Sequence, residues 1–440
     1  MKSIHVNIKK LGLIRDAEID IKPLMLFSGY SGLGKSYVAI LCHYFFHVWM
    51  SDKRINTFFK HIQDSKGISF DGSIPNQNGD KASFSISKEE IEKWLAKDAV
   101  DYLKYMLGYS EFEADIKIDL PVQEQTFSFS YEQEKGGVGD NPETYNKLSL
   151  FGLMIRFKEL GITDESPYAT LFRFVMIMTI FGDYQKLLYS YVLPPARGMY
   201  MSEFPLFSNA KTGLCQTFIN DMQELNKVQE IPDKISPDLV NLIHDVLAGD
   251  IKMDGEKYVY VTHGVTLPIS AAAASIREVG SLQQLILKRD ISKCTILIEE
   301  PESHLHPLKQ IQMADIIALM ANGGANMQIT THSDYFMRRL GDLIMLHNLK
   351  LKDENKYREL VEEYDIINTS YTLDPSILSA YYLEQKEEGG DVSLTPQDVT
   401  NGIPFDTFEK ANDKFLELSA LLYQLNLNYY VDEEYNNELQ

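Results

Sequence analysis

Apolar and polar residues alternate through the first 21 positions. Ile4, Val6 and Ile8 form one apolar set and Ala17, Ile19 and Ile21 another, with the turn-like KKLGLIRD between them. This pattern predicts a β-hairpin. A third apolar run, Leu24 to Phe27, leads straight into GYSGLGKS and then into YVAILCHYFFHVWM, which has helical character, so strand, glycine loop and helix follow one another. Further on, Ser87 and Glu90 stand at capping-box spacing with Ile86 and Ile91 at the staple positions, which predicts a helix whose apolar face is Ile91, Leu95, Leu103 and Met106. Residues 127–132, FSFSYE, alternate like a strand, and EKGGVGDNPE after them reads as an exposed loop. Residues 56–80 are polar and read as an irregular excursion, and 145–190 read as helical, broken at GITDESP. Beyond Val259, a helical LQQLILKRD, a buried-strand CTILIEE, a helical KQIQMADIIALMA and a short strand at Met327 to Thr331 predict a sheet with parallel strands. In the tail, Phe408, Ala411, Phe415, Leu418, Leu422 and Leu425 are spaced alternately three and four apart, as in a helix packing on its parent domain. No internal repeat or long heptad run is present.

The fixed positions of Gly29-x-x-x-x-Gly34-Lys35-Ser36 match the phosphate-binding loop, in the required setting between strand and helix. Backbone N–H groups from Gly29, Tyr30, Ser31, Gly32, Leu33 and Gly34 through Lys35, Ser36 and Tyr37 can surround the phosphates of ATP. Lys35 reaches the β- and γ-phosphates, and Ser36 offers its hydroxyl to Mg2+. The expected fold is therefore α/β, of the P-loop NTPase type.

Composition narrows the setting. The 440 residues carry 42 basic and 63 acidic side chains, a net charge of -21, which disfavours bulk nucleic acid as a partner. Lys53, Arg54 and Lys60, or Arg338 and Arg339, could still form a local basic surface. Three cysteines without Cys-x-x-Cys spacing fit a reducing compartment, and no apolar run reaches the roughly 20 residues of a spanning helix. His43 and His47 lie four apart on a helix, a zinc-compatible spacing, but lack a third ligand in sequence and read as core residues.

A second motif is the apolar strand TILI ending in Glu299 and Glu300, followed by Pro301-Glu302-Ser303-His304-Leu305-His306-Pro307. Carboxylates at the carboxyl edge of a parallel sheet lie where such sheets bind ligands. One can help hold magnesium, and the next can orient or deprotonate the attacking water.

ILIEEPESHLHP, with GYSGLGKS before it and QITTHS after it, resembles the soluble ATP-binding-cassette (ABC) ATPases of the RecF, SMC and OLD type. The opening hairpin, LPPARG around Arg197, LSAYYLEQ and NGIPFDTFEKANDKF extend the resemblance to both ends of the chain. It implies an ABC-type head formed by residues 1–55 and 255–400, an inserted α-rich region with some strand at 56–254, and a C-terminal helix at 401–440. It further implies ATP and Mg2+ as ligands, Glu299 on the magnesium side, Glu300 as catalytic carboxylate and His332 as the switch histidine. Ser303 and His304 would meet the opposite subunit. Glu at 299 replaces a frequent Asp, and SAAAASIREVG replaces the glycine-rich signature, with Ser275 or Ser270 offering a hydroxyl to ATP across a dimer. Gln123 and Gln125 remain for the magnesium-sensing glutamine by elimination.

Chains of this kind without a long coiled coil or their own nuclease resemble the ATPase subunits of two-gene anti-phage systems such as PARIS and Septu. That resemblance implies a cytoplasmic homodimer or higher homo-oligomer, with no membrane segment, controlling a separate Toprim or HNH nuclease or a toxin. The rival readings are a RecF-like ATP-gated DNA-binding repair protein and a non-hydrolysing ATP-stabilised scaffold or sensor.

Overall fold

The alternating residues at the start of the chain pair as a hairpin, Ile4 opposite Ile21 and Ile8 opposite Ala17, with Ile4, Val6, Ile8, Ile19 and Ile21 all buried. The structure, a computed structural model, describes residues 1–66, 81–136, 143–157, 166–202, 213–228, 235–255, 257–364, 371–386, 390–404 and 413–425. The hairpin belongs to a nine-stranded sheet. Its strands are β1 (Ile4–Leu11), β2 (Ile14–Ile21), β3 (Leu24–Gly29), β4 (Ala114–Asp119), β5 (Tyr189–Leu193), β6 (Cys294–Glu299), β7 (Asn326–Thr330), β8 (Leu378–Gln385) and β9 (Val392–Gln397), in spatial order β4-β1-β2-β9-β8-β3-β7-β6-β5. From β8 to β5 every neighbouring pair is parallel. The other wing is mainly antiparallel.

The parallel strands are apolar on both faces because both faces are covered. In β3, Met25 and Phe27 join one core together with Val38 to Phe46 of helix α1 (Lys35–His47). Leu24 and Leu26 join a second core on the opposite face. That second core is closed by α2 (Ala274–Lys288), α3 (Pro307–Asn322) and α4 (Asp334–Lys352). The result is the three-layer α/β arrangement expected from the strand–helix order.

The hairpin, the strand before the glycine loop, the capping box of Lys88–Leu107 and strands β6 and β7 all form as the pattern predicts. Several readings differ. Residues from Asp52 to Lys66 are helical, because Ile55, Phe58, Phe59 and Ile62 recur on one face and bury despite the polar residues between them. Residues 143–157 are strands, not helix: Glu143–Leu150 and Leu153–Phe157 complete an antiparallel sheet with Lys81–Ser87 and Thr126–Gly136, and alternation in KLSL buries Leu148 and Leu150. Within the stretch 56–254, β4 and β5 join the central sheet. Finally, residues 413–425 form a helix in which every residue is exposed, Phe415 at 69% and Tyr423 at 68%, so this segment does not pack on the parent domain. The loop expected at 134–143 is strand at 134–136 and at 143, while 137–142 of it, 161–165 of the break expected at 161–167, 67–80 of the excursion, and Phe408 and Ala411 lie outside the described residues.

Candidate functional site

The chain leaves β3 through Gly29, Gly32 and Gly34, whose φ angles are 131°, 80° and 95°, conformations that L side chains rarely adopt. α1 begins at Lys35 immediately afterwards, so its positive dipole end and free N–H groups face the loop. Lys35 Nζ donates to the carbonyls of Gly29 (3.1 Å) and Tyr30 (2.9 Å). Burial lowers its ammonium to about 8, against the raising effect of Glu300, Glu299 and Glu302. Tyr30 is exposed, Leu33 is buried, and Tyr37 lies edge-on to Phe112 at 5.1 Å between ring centroids. Tyr37 also lines a cleft of about 780 Å³ beside the loop, together with Lys10, Gly12, Gly34, Lys104 and Tyr109.

The acidic residues reach the loop because β7 alone separates β6 from β3. Ser36 Oγ donates to Glu299 Oε2, and Glu299 Oε1 is buried with no hydrogen-bond partner among the described residues. Burial raises the Glu299 carboxyl, and the Ser36 bond opposes the rise. A serine hydroxyl beside a carboxylate with an uncommitted oxygen is an all-oxygen donor set, which suits magnesium. The residues therefore fit the ion that the loop implies.

Glu300 follows at φ 47°, its N–H donating to Thr330 O at 3.0 Å. Its carboxylate accepts from Ser303 Oγ at 2.9 Å and lies 3.7 Å from His332 Nε2. His332 Nε2 is also 3.4 Å from Ser31 Oγ. Burial first, and Lys35 second, lower the pKa of this ring, which favours neutral imidazole. The structure thus brings Ser31, Lys35, Ser36, Glu299, Glu300 and His332 together from three distant parts of the chain.

Two participants were not assigned from the sequence. Glu302 is buried, and its Oε1 accepts from Thr331 Oγ1 (2.6 Å) and from the His332 N–H (2.9 Å), fixing the backbone that carries the histidine. A third acid inside a segment that turns back toward the sheet was the available signal. Arg197, noted only within LPPARG, is fully buried behind Glu299.

Other expected residues fall elsewhere. Ser275 lies half-buried in the first turn of α2, whose cap is Ala273, while Ser270 is exposed in the short turn Ile269–Ala271. Gln123 and Gln125 are exposed just after β4, which four strands separate from β3, and the Gln125 amide donates to Gln123 O. His43 and His47 serve the core. Both contact Ser190 Oγ at 3.0 Å, and His43 Nδ1 meets Gln328 Oε1 at 2.8 Å. Among the described residues no group of three ligating side chains suits a metal on its own. The suggested basic surface is partly committed: Arg54 pairs with Asp98, Arg338 with Asp334, and buried Arg339 with Asp315.

No protein-family model and no curated protein matches the chain. Among solved structures it is similar to the SMC head domain from Thermotoga maritima, at 10% identity and TM-score 0.33 over 90% of this chain and 100% of that one. It is also similar to the Smc head domain with an extended coiled coil bound to the C-terminal domain of ScpA, derived from Pyrococcus furiosus, at 10% identity and TM-score 0.36 over 95% and 99%. A third is the ADP conformation of an ATP-binding cassette of an ABC transporter, at 11% identity and TM-score 0.26 over 77% and 85%. The α/β P-loop class is evident in the chain's own topology, with the glycine loop between β3 and α1 and the acidic residues at the end of β6. Among the described residues no helix is long and apolar enough to cross a membrane.

Proposed function

We propose that this chain is a magnesium-dependent, ABC-type ATPase that closes as a homodimer, or a higher homo-oligomer, around ATP and uses that cycle to control a separate effector nuclease or toxin in anti-phage defence. The observation that carries the ATPase reading is the convergence of Ser36 with Glu299, and of Ser31 with His332 and Glu300, although some 260 to 300 residues separate them in sequence.

Each group has a task its surroundings suit. Lys35 supplies positive charge to the phosphates from a site lined by backbone N–H groups. Ser36 and Glu299 would hold the magnesium ion, which when bound neutralises phosphate charge and polarises the γ-phosphoryl group. Glu300, more exposed than Glu299, is open to a water molecule and takes its proton as the water attacks phosphorus. His332, neutral and aligned by Glu302 through its backbone, offers a ring N–H toward the γ-phosphate. Ser303 and His304, beside Glu300, and the start of α2 with Ser275 supply the faces across which a second copy completes the site. The net charge of -21 favours a protein effector over bare DNA.

The test is phosphate release by wild type, Lys35→Ala and Glu300→Gln, each also sized by light scattering with and without MgATP. Turnover lost in both variants, with an ATP-held assembly in Glu300→Gln, is the expected result. Wild-type turnover no greater than that of Lys35→Ala refutes the ATPase reading. Wild-type cells no better protected against phage than cells lacking the chain refute the defence role, and protection that survives Lys35→Ala refutes its dependence on ATP.

A further inference from the structure

Arg197 has the surroundings of a structural clamp at a mechanistically sensitive point. Its side chain is 1% exposed, and its guanidinium joins three separate segments: Nε donates to Glu278 O (2.9 Å) on α2, and Nη1 donates to Pro194 O (3.1 Å) and to Glu299 O (2.9 Å) at the end of β6. Glu278 supplies the counter-charge, its Oε2 lying 3.8 Å from Arg197 Nε. Its Oε1 accepts from the Gly198 N–H at 3.1 Å, so the carboxylate grips the same corner of the chain twice. Side chains are packed tightly there: a Cβ on Gly198 would lie 2.9 Å from Glu278 Oε1.

A buried guanidinium is a poor device for stability alone, since well-packed apolar residues commonly serve as well or better. What it offers is a rigid fork of donors that one apolar or point-charge side chain cannot reproduce. The acceptor that matters is the Glu299 carbonyl. It belongs to the peptide joining Glu299 to Glu300, and the N–H of that same peptide donates to Thr330 O at 3.0 Å. The peptide plane is therefore held from both sides, immediately before a residue at φ 47°. A non-glycine residue stays in that sparsely populated region only where its surroundings over-determine it.

We propose that Arg197 is a positioning residue: through the Glu299 carbonyl it holds Glu300 in its left-handed backbone conformation, and through Glu278 it ties that conformation to the helix bearing Ser275. A displacement of α2, such as docking of a second copy would produce, is thereby transmitted to the aim of the Glu300 carboxylate. This rests on the ATPase reading above and adds its coupling element.

The experiment measures hydrolysis against ATP concentration for wild type, Lys35→Ala, Arg197→Lys and Arg197→Met, with ATP affinity and thermal unfolding recorded on the same samples. Arg197→Met is expected to lower kcat by about tenfold or more while KM and ATP affinity stay within about twofold, because misaimed chemistry costs rate without costing binding. Arg197→Lys, which keeps the charge but only one donor head, is expected to recover part of the loss. Equal kcat in wild type and both variants, or kcat and affinity falling together in step with lost folded protein, overturns the proposal. Should the Arg197 variants not fold, Glu278→Gln, which preserves both backbone acceptors and removes the counter-charge, is expected to lower kcat several-fold at constant KM, and an unchanged kcat overturns the proposal. Wild-type turnover no greater than that of Lys35→Ala brings down the ATPase reading and this coupling with it. Normal wild-type turnover alongside normal Arg197 variants removes the coupling alone.

Discussion

The two glycines Gly29 and Gly32 belong to one loop, yet their replacement by alanine has very different expected consequences. Gly29 has φ 131°, and a Cβ there would lie 2.3 Å from the Leu383 carbonyl oxygen and 3.1 Å from the Leu383 carbonyl carbon and nitrogen. Those are backbone atoms of β8, paired with β3 at this residue, so relief requires two central strands to part. Strain at such a φ is about 1–3 kcal/mol, and overpacking a close-packed interior adds a similar amount, giving about 2–6 kcal/mol for Gly29→Ala. Gly32 has φ 80° but no atom within 4 Å of the added carbon, leaving only the left-handed penalty of about 1–2 kcal/mol for Gly32→Ala. Urea unfolding followed by the fluorescence of the two buried tryptophans, Trp49 and Trp94, compares the two. The loss of stability in Gly29→Ala is expected to be about twice that in Gly32→Ala or more. Equal losses refute the argument that Gly29 is dictated by the approach of β8, and would leave phosphate contact as the common reason for both glycines.

Two further expectations concern pH. Burial lowers His43 to about 4 and His47 to about 3, so the folded chain excludes protons that the unfolded chain binds below about 6.5. Stability should therefore fall as pH drops from 6.5 toward 4, by about 3 kcal/mol for His43 alone, and a His43→Leu, His47→Leu double variant should show a flatter profile in urea titrations across that range. An unchanged profile would mean the rings are not held neutral. Because Lys35 sits at about 8, its positive charge is lost above that pH, and ATP affinity measured by calorimetry should weaken by up to about tenfold per unit from pH 8 to 9 while staying level from 6.5 to 7.5. Constant affinity to pH 9 would refute the low value for Lys35.

Elements whose signals are short-range were legible along the chain. The hairpin alternation, the strand–glycine–helix order at residues 24–47, the capping box at Ser87 and Glu90, and the buried-strand pattern before Glu299 each specify their own conformation, because turn chemistry and periodicity act within a few residues. Lys35, Ser36, Glu299, Glu300 and His332 could be picked out because each lies in a contiguous motif. Long-range packing decided the rest. Polar residues hid the helix at 52–66, whose apolar side chains matter only once there is a core to receive them, and strands 143–157 form because a partner strand waits at 126–136. Nothing local in 114–119 or 189–193 says that these strands complete the central sheet. Glu302 and Arg197 carried no local signal of their tasks, since their partners, the His332 N–H and the carbonyls of Glu278 and Glu299, are some 30, 80 and 100 residues away. Hydrogen bonds to a distant backbone are properties of the folded chain, and only the tertiary structure could assign them.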